Sequence, residues 1–473
     1  MTTPIYRLFV LVIVLFALLV AWTSRWTVFE AKSLRDHTAN KRSLFEQARI
    51  DRGQIKAADG SVLARSVKQR DGTFSRRYPQ DDLFSHVIGY SFINLGRAGL
   101  EQSRNDALTG ERNEITSLVD ELRGRDRIGD DVITTLDPAA QRAAVDALEG
   151  QQGSIVAIEP ATGKVKVMVS LPQFDPNRVP REFSKLNRED GSPLFNRATQ
   201  AGYAPGSTFK VVTAIAAIDS GRFSPDSVVN GANGKVISGV PLNNSGGAEV
   251  GDISLTEALT KSVNVVWAQV GERLGKDTMG EYMGRLGFYR KPALDYPPGQ
   301  RRASGEYRNG DLLTPGSRFI DVGRMAIGQD KLNVTPLQMA MVAAAVANRG
   351  KLVKPHFTDR IVDRDGRTVE DIEPSTESQV MKPETADQVT KMMTQVVDEG
   401  TGTAAALQGI SVAGKTGTAE IDPSEDLNQP WFIAFAPVDN PKIAIAVTVE
   451  RSTGGQGGTV AAPIAKQVLE ALL

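Results

Sequence analysis

The sequence predicts an α+β protein: an antiparallel sheet flanked by helices, preceded by a small β-rich N-terminal module and a single transmembrane helix. Three observations predict it. Residues 8–22 are apolar without a break; short β-prone segments surround Asp59-Gly60; and beyond residue 150 hairpin-like pairs of apolar segments alternate with helix-prone runs.

The apolar run comes first. No charge stands between Arg7 and Arg25, about 17 residues or roughly 25 Å of helix, near the short limit for a bilayer span. A cleaved signal peptide would end in a small-x-small site. Here the position two before each small residue is bulky, and Trp22 and Trp26 follow as interfacial anchors do. The segment therefore reads as an uncleaved anchor, with a short N-terminus inside and the rest of the chain outside. Residues 28–50 are polar and helical in tendency, a stalk.

Arg52-Gly53-Gln54-Ile55 and Asp59-Gly60 then form a β-hairpin signal, because Asp-Gly supplies the positive φ of a tight turn. Arg76-Arg77-Tyr78-Pro79, Ile88-Gly89-Tyr90 and Gly99-Leu100-Glu101 belong to the same module, which carries no visible chemistry and reads as scaffolding. Two decoys lie inside it. The spacing around Asp82 and His86 is wrong for a glycan-polymerase motif, and Ser103-Arg104-Asn105 matches S-x-N but precedes any nucleophile.

Residues 154–158 and 165–169 with a turn between them open a new domain. The expected division is 1–26 tail and anchor, 27–150 non-catalytic module, and 151–473 catalytic domain. Residues 172–196 are polar and read as a long surface loop. Then comes Tyr203-Ala204-Pro205-Gly206-Ser207-Thr208-Phe209-Lys210, a turn followed by an apolar helix-prone run. Ser207 is expected at the helix start, where the dipole favours any anion that forms. Lys210, three residues on, is expected on the same face within reach of the Ser207 oxygen. An alcohol needs a base, and a lysine serves only if burial or a cationic neighbour lowers its pKa.

Alone, S-x-x-K is weak, since about one or two chance matches are expected in a chain of this length. Two further pieces follow in order: Ser262-Val263-Asn264, after a capping box at Ser254-Leu255-Thr256-Glu257, and Lys415-Thr416-Gly417-Thr418. On their own, Ser262 and Asn264 would read as helix caps. Between these two motifs, Pro336 to Gly350 is a Pro-started, Gly-stopped helix of core character. Residues 351–380 look like a surface excursion. Gly417 in the strand from residue 410 onward would let a substrate backbone approach closely. Residues 431–436 and 442–449 make a hairpin, and the Gly-rich stretch 454–458 is a flexible loop without a Walker pattern, before a closing helix.

Composition narrows the alternatives. The 473 residues carry a net charge of −1 with mixed signs, so a nucleic-acid surface is not indicated. There are no cysteines, which excludes disulfides and thiolate chemistry. The histidines, His37, His86 and His356, are scattered, with no H-E-x-x-H and no G-x-S-x-G.

The ordered S-x-x-K, S-x-N, K-T-G series resembles that of penicillin-binding proteins and serine β-lactamases, the penicilloyl-serine transferases. With Arg52-Gly53-Gln54-Ile55, Asp59-Gly60, Asn196-Arg197-Ala198, the segment from Gly328 to Ala340 and Trp431-Phe432, the chain is similar to class B penicillin-binding proteins over nearly its whole length. The pattern looks closest to the penicillin-binding protein A type of actinobacteria. Val263 stands where relatives often carry Asp, and Ala434 where Gly is usual; neither residue type does the chemistry.

The resemblance implies a D,D-transpeptidase that cross-links peptidoglycan stem peptides ending in D-Ala-D-Ala and is acylated by β-lactam antibiotics. It implies Ser207 as nucleophile, Lys210 as base, Ser262 as proton relay and Asn264 as an amide orienting the substrate backbone. Lys415, Thr416 and Thr418 would hold the terminal carboxylate, and the N–H groups of Ser207 and Thr418 would form the oxyanion hole. It further implies no metal or organic cofactor, a cell-membrane location with the catalytic domain extracytoplasmic, and a polytopic glycan polymerase as partner. A carboxypeptidase using water, a β-lactamase and a non-catalytic β-lactam sensor stay open. The β-lactamase would need a deacylating base, and Glu306 and Asn309 are three apart where four is the pattern.

Overall fold

The computed structural model describes residues 2–25, 48–111 and 128–473; Trp26 and most of the expected stalk, residues 28–47, lie outside them. Helix Thr2–Ser24 follows the apolar run, and its large side chains face outward with no protein against them (Phe16 is 68% exposed). That surface is costly in water and neutral in lipid. Among the described residues it is the one helix long and apolar enough to cross a membrane.

The first sheet has six strands in the order Thr368–Asp371, Thr358–Val362, Asp131–Thr134, Ile55–Lys56, Val62–Lys68, Phe74–Arg77. Asp59-Gly60 turns the expected hairpin: Gly60 has φ 84°, and Asp59 Oδ1 accepts from Ser61 N at 2.8 Å. Beneath it, fully buried Glu101 accepts from Arg52 Nη2 at 2.9 Å and Arg76 Nε at 2.5 Å. Burial would raise the Glu101 pKa, but Arg76 and Arg52 outweigh it and hold it below the carboxylate range. The decoys are structural too. Ser103 Oγ donates to Asp295 O at 3.0 Å, Asn105 Oδ1 accepts from Arg52 at 2.9 Å, and His86 is buried against Pro193 O with its pKa pulled down to about 4 by burial.

Two expectations are corrected. Residues 364–371 stay largely exposed as expected, but residues 358–362 are not part of a surface excursion: Thr358–Val362 pairs antiparallel with Asp131–Thr134, and Ile361, opposite Val132, is fully buried. Its alternation is too short, and its surroundings too charged, to show a strand whose partner lies so far upstream. The stretch 172–196 contains helix Val179–Leu186, with Val179 and Leu186 buried against Phe174. Polar residues on its outer face hide the period, and Pro180 sits in the first turn, where proline costs nothing.

The second sheet is antiparallel, in the order Ala413–Asp422, Leu427–Ala436, Ile443–Val449, Gly153–Ile158, Val165–Leu171. Alternate residues of its inner strands feed two cores. Ile433, Phe435, Ala444 and Ala446 pack on one face, and Phe432, Ala434, Ile445 and Val447 on the other. Helices Lys210–Asp219 and Pro336–Ala347 belong to the first core, Pro138–Ala147 and Ala462–Leu472 to the second, so both faces are covered as the sequence predicts.

Every residue of Pro336–Ala347 is buried, which makes it a core helix and not a binding stripe. Its N-cap, Thr335, accepts from Gln338 N at 3.1 Å and is itself fully buried, so no water can replace it. Thr335→Ala is therefore expected to cost about 1–2 kcal/mol, read as a lowered urea midpoint at unchanged slope.

Candidate active site

The turn before Ser207 is held at two points. Tyr203 exchanges backbone hydrogen bonds with Val334 (3.0 and 2.8 Å), and Gly206 N donates to Gly328 O at 3.0 Å. Gly328 has φ 82°, and a Cβ there would lie 1.9 Å from Gly206 O, so only glycine fits. Residues Gly206–Phe209 form a 3-10 turn that runs into helix Lys210–Asp219, all of it buried. Ser207 thus stands at a helix start as expected, half-buried at its mouth.

Lys210 is fully buried, and its ammonium is spent on the second motif and not on Ser207. Nζ donates to Ser262 O at 2.7 Å, Asn264 Oδ1 at 2.7 Å and Ser262 Oγ at 3.2 Å. In this arrangement Ser207 Oγ has no hydrogen-bond partner among the described residues, a departure from the expected Ser207–Lys210 pairing. Three acceptors converging from one loop outcompete a single hydroxyl on the lysine's own helix.

Ser262 and Asn264 are not helix caps. The N-cap of helix Asn264–Arg285 is Val263, with no side-chain bond, while Asn264 Nδ2 donates to Asn243 O at 3.1 Å. Ser262 has φ 57°, a left-handed conformation uncommon for serine. Strain of this kind collects at functional sites, and here it aims one hydroxyl at two ammonium groups. The second is Lys415, also fully buried, whose Nζ donates to Ser262 Oγ at 3.0 Å and Thr416 O at 3.0 Å.

Among the described residues neither lysine has an ion-pair partner. Burial first, and the nearby Lys415 charge second, push the Lys210 pKa well below the lysine range. Burial alone brings Lys415 down to about 7. Both shifts are of the kind the sequence argument requires for a lysine base.

The far wall is the strand Ala413–Asp422, the end strand of its sheet, whose open edge runs beside the turn at Ser207. Gly417 is needed for a reason other than the expected one. A Cβ there would lie 2.8 Å from Pro205 O and 2.9 Å from Thr208 Cγ2, so it admits the protein's own turn. Gly206 reciprocates, with Thr418 O at 2.7 Å from its Cβ position. The structure brings the predicted residues together: Lys210, Ser262, Asn264, Lys415 and Thr416 by hydrogen bonds, and Gly417 and Thr418 by close approach to the turn that carries Ser207.

The glycine-rich stretch at 454–458 is not a loose loop. Gly457 is buried, its N donates to Thr418 Oγ1 at 3.2 Å, and a Cβ on it would lie 2.4 Å from Gly417 O. Sequence reading also misses Thr401, whose Oγ1 lies 2.6 Å from Thr416 Oγ1, and Asn244, whose Oδ1 accepts from Val265 N at 3.1 Å. Thr401 stands in a Gly-Thr-Gly that reads only as a helix stop; no local pattern marks either residue. Glu306 is buried beside Tyr289 on a strand paired with Leu332–Asn333, and burial raises its pKa.

Two families match. The one described as the penicillin-binding protein transpeptidase domain covers residues 153–470, and the penicillin-binding protein A dimerisation domain covers residues 52–132. The peptidoglycan D,D-transpeptidase PbpA of Mycolicibacterium smegmatis is 35% identical over 503 residues, covering 100% of this chain and 99% of that protein. PbpA of Mycobacterium tuberculosis is 33% identical over 501 residues with the same coverage of 100% and 99%. A solved structure of penicillin-binding protein A from M. tuberculosis, a ceftriaxone acyl-enzyme complex, superposes with a TM-score of 0.82 at 33% identity. It covers 91% of this chain and 100% of that one.

Proposed function

The chain belongs to the penicillin-binding protein transpeptidase family and is a peptidoglycan D,D-transpeptidase, and from that premise we propose which of its residues carry the serine acyl transfer. Ser207 is the nucleophile and Lys210, as the free amine, its base. The observation that carries the reading is the convergence on Ser262 Oγ of two buried lysines, Lys210 and Lys415, that have no ion-pair partner among the described residues.

A stem peptide lies along the open edge of Ala413–Asp422 as an added strand. Lys415 and the hydroxyls of Thr416 and Thr418 hold its terminal carboxylate, and the Asn264 amide orients its backbone. Ser207 Oγ attacks the carbonyl between the two D-alanines, and its proton passes to Lys210 Nζ. The Ser207 and Thr418 N–H groups take the oxyanion charge. When the C–N bond breaks, the departing D-alanine amine receives that proton through Ser262. An amine from a neighbouring stem then attacks the ester, gives up its proton by the same route, and frees Ser207.

Residues 27–150 act as a non-catalytic pedestal, and helix Thr2–Ser24 is a single-pass anchor with the catalytic domain extracytoplasmic. A separate polytopic glycan polymerase supplies the strands to be joined. Incubation with donor and acceptor stem peptides tests the reaction assigned to these residues. Cross-linked dimer should exceed released D-alanine formed by hydrolysis, and hydrolysis alone would indicate a carboxypeptidase.

The lowered lysine pKa values give a second test. Acylation needs Lys210 neutral and Lys415 charged, so kcat/KM should rise with pH through the depressed Lys210 pKa and fall as Lys415 titrates near 7. A bound carboxylate favours the Lys415 cation, so the alkaline limb of kcat should lie at higher pH than that of kcat/KM. Coincident limbs would remove Lys415 from carboxylate binding.

A further inference from the structure

Thr416 is tied to a segment outside the three motifs. Thr401 stands in the turn after helix Pro383–Asp398, and its Oγ1 lies 2.6 Å from Thr416 Oγ1. The turn itself is fixed. Thr401 N donates to Thr260 O at 3.4 Å and Gly402 N to Val396 O at 2.9 Å. Gly400 has no room for a side chain, since a Cβ would sit 2.6 Å from Thr260 O, and the Thr401 carbonyl packs 2.5 Å from the Cβ position of Gly458. One residue therefore touches the K-T-G strand, the glycine-rich stretch and the segment just before Ser262.

We propose that Thr401 is a positioning residue that aims the Thr416 hydroxyl proton at the substrate's terminal carboxylate. The inference rests on the carboxylate-binding role given to Thr416 above. A hydroxyl has one proton and two acceptor sites. Lys415 Nζ, which as the ammonium that binds the carboxylate can only donate, reaches Thr416 Oγ1 at 3.4 Å, and Thr401 Oγ1 approaches at 2.6 Å. Either hydroxyl could donate across this 2.6 Å contact, and the inference assigns the donor role to Thr401, whose hydroxyl has no other protein partner among the described residues. With both acceptor sites filled, the Thr416 proton is left for an incoming anion. Without Thr401 the rotor is released, and the proton is no longer pre-aimed.

The test uses the full chain and two probes, penicillin G and its methyl ester, which differ in the carboxylate charge. Thr401→Val keeps the shape and removes the donor; Thr401→Ser keeps the donor. Thr401→Val is expected to lower the second-order acylation rate by penicillin G about three- to tenfold, the worth of one net hydrogen bond. The ester's rate should stay within about twofold of the parent, and Thr401→Ser should restore the penicillin rate. Equal losses for both probes would make Thr401 merely structural and overturn the inference, as would no loss for either. Thr416→Val separates the two levels. If it leaves the preference for the carboxylate intact, the role of Thr416 itself fails; if it erases that preference while Thr401→Val does not reduce it, only the present inference fails.

Discussion

Ser207→Ala is expected to abolish covalent labelling by fluorescent penicillin completely, because the neighbouring hydroxyl in the same turn, Thr208, is fully buried and donates to Pro205 O at 2.7 Å. Folding should be unaffected. Ser207 is half-buried and its Oγ has no protein partner among the described residues, so its loss should move stability by no more than about 0.5 kcal/mol. Labelled bands on a denaturing gel, beside the melting temperature of the same preparation, check both halves. Undiminished labelling would refute the assignment. Lys210→Met should come close to the same result by another route. It keeps the buried volume and removes the base, so acylation should fall by about 10²–10⁴-fold. It also removes a buried lysine that has no ion-pair partner among the described residues, but it takes away the donor to Ser262 O and Asn264 Oδ1, so the two effects oppose and stability should fall by no more than about 1–3 kcal/mol.

The largest stability effect is expected far from the cleft. Glu101→Ala leaves the guanidiniums of Arg52 and Arg76 buried with their shared carboxylate gone, and breaking a buried ion pair in this way costs about 3–5 kcal/mol. Glu101→Gln keeps the shape and one acceptor and should cost less. Urea midpoints for the three proteins decide it; an alanine variant as stable as the parent would show that the arginines find water instead. The pH dependence has a definite sign. The folded pKa of Glu101 is depressed, so its contribution is present above the unfolded carboxylate pKa and is lost as pH falls through the folded one.

Much of the cleft was legible in the sequence because its chemistry sits in short, ordered motifs. Ser207, Lys210, Ser262, Asn264 and the Lys415-Thr416-Gly417-Thr418 run are each marked by residue type and spacing. What escaped was whatever depends on a partner distant in the chain. The Lys210 bonds to Ser262 and Asn264 could not be read from helix spacing, which points the lysine at Ser207. The need for Gly417 was read as room for a substrate, and only packing reveals Pro205 and Thr208 in that space. Thr401 had no signal at all, because a threonine after a helix is ordinary. The core elements were easier. Helix Pro336–Ala347 and the strands Leu427–Ala436 and Ile443–Val449 are dense in apolar residues, whereas Thr358–Val362 and Val179–Leu186 bury only one or two large apolar side chains each.

The pairing of Thr358–Val362 with Asp131–Thr134 also orders events in time. As the polypeptide leaves the ribosome, Ile55–Lys56 and Val62–Lys68 can zip together early, but one flank of Asp131–Thr134 stays bare until more than two hundred further residues have been made. Closing so long a loop is slow, and an unpaired flank is a surface on which neighbouring nascent chains can associate. A shortened chain that begins at residue 153 would carry the converse defect, two orphaned strands with nothing to lean on, and should precipitate more readily than the whole protein.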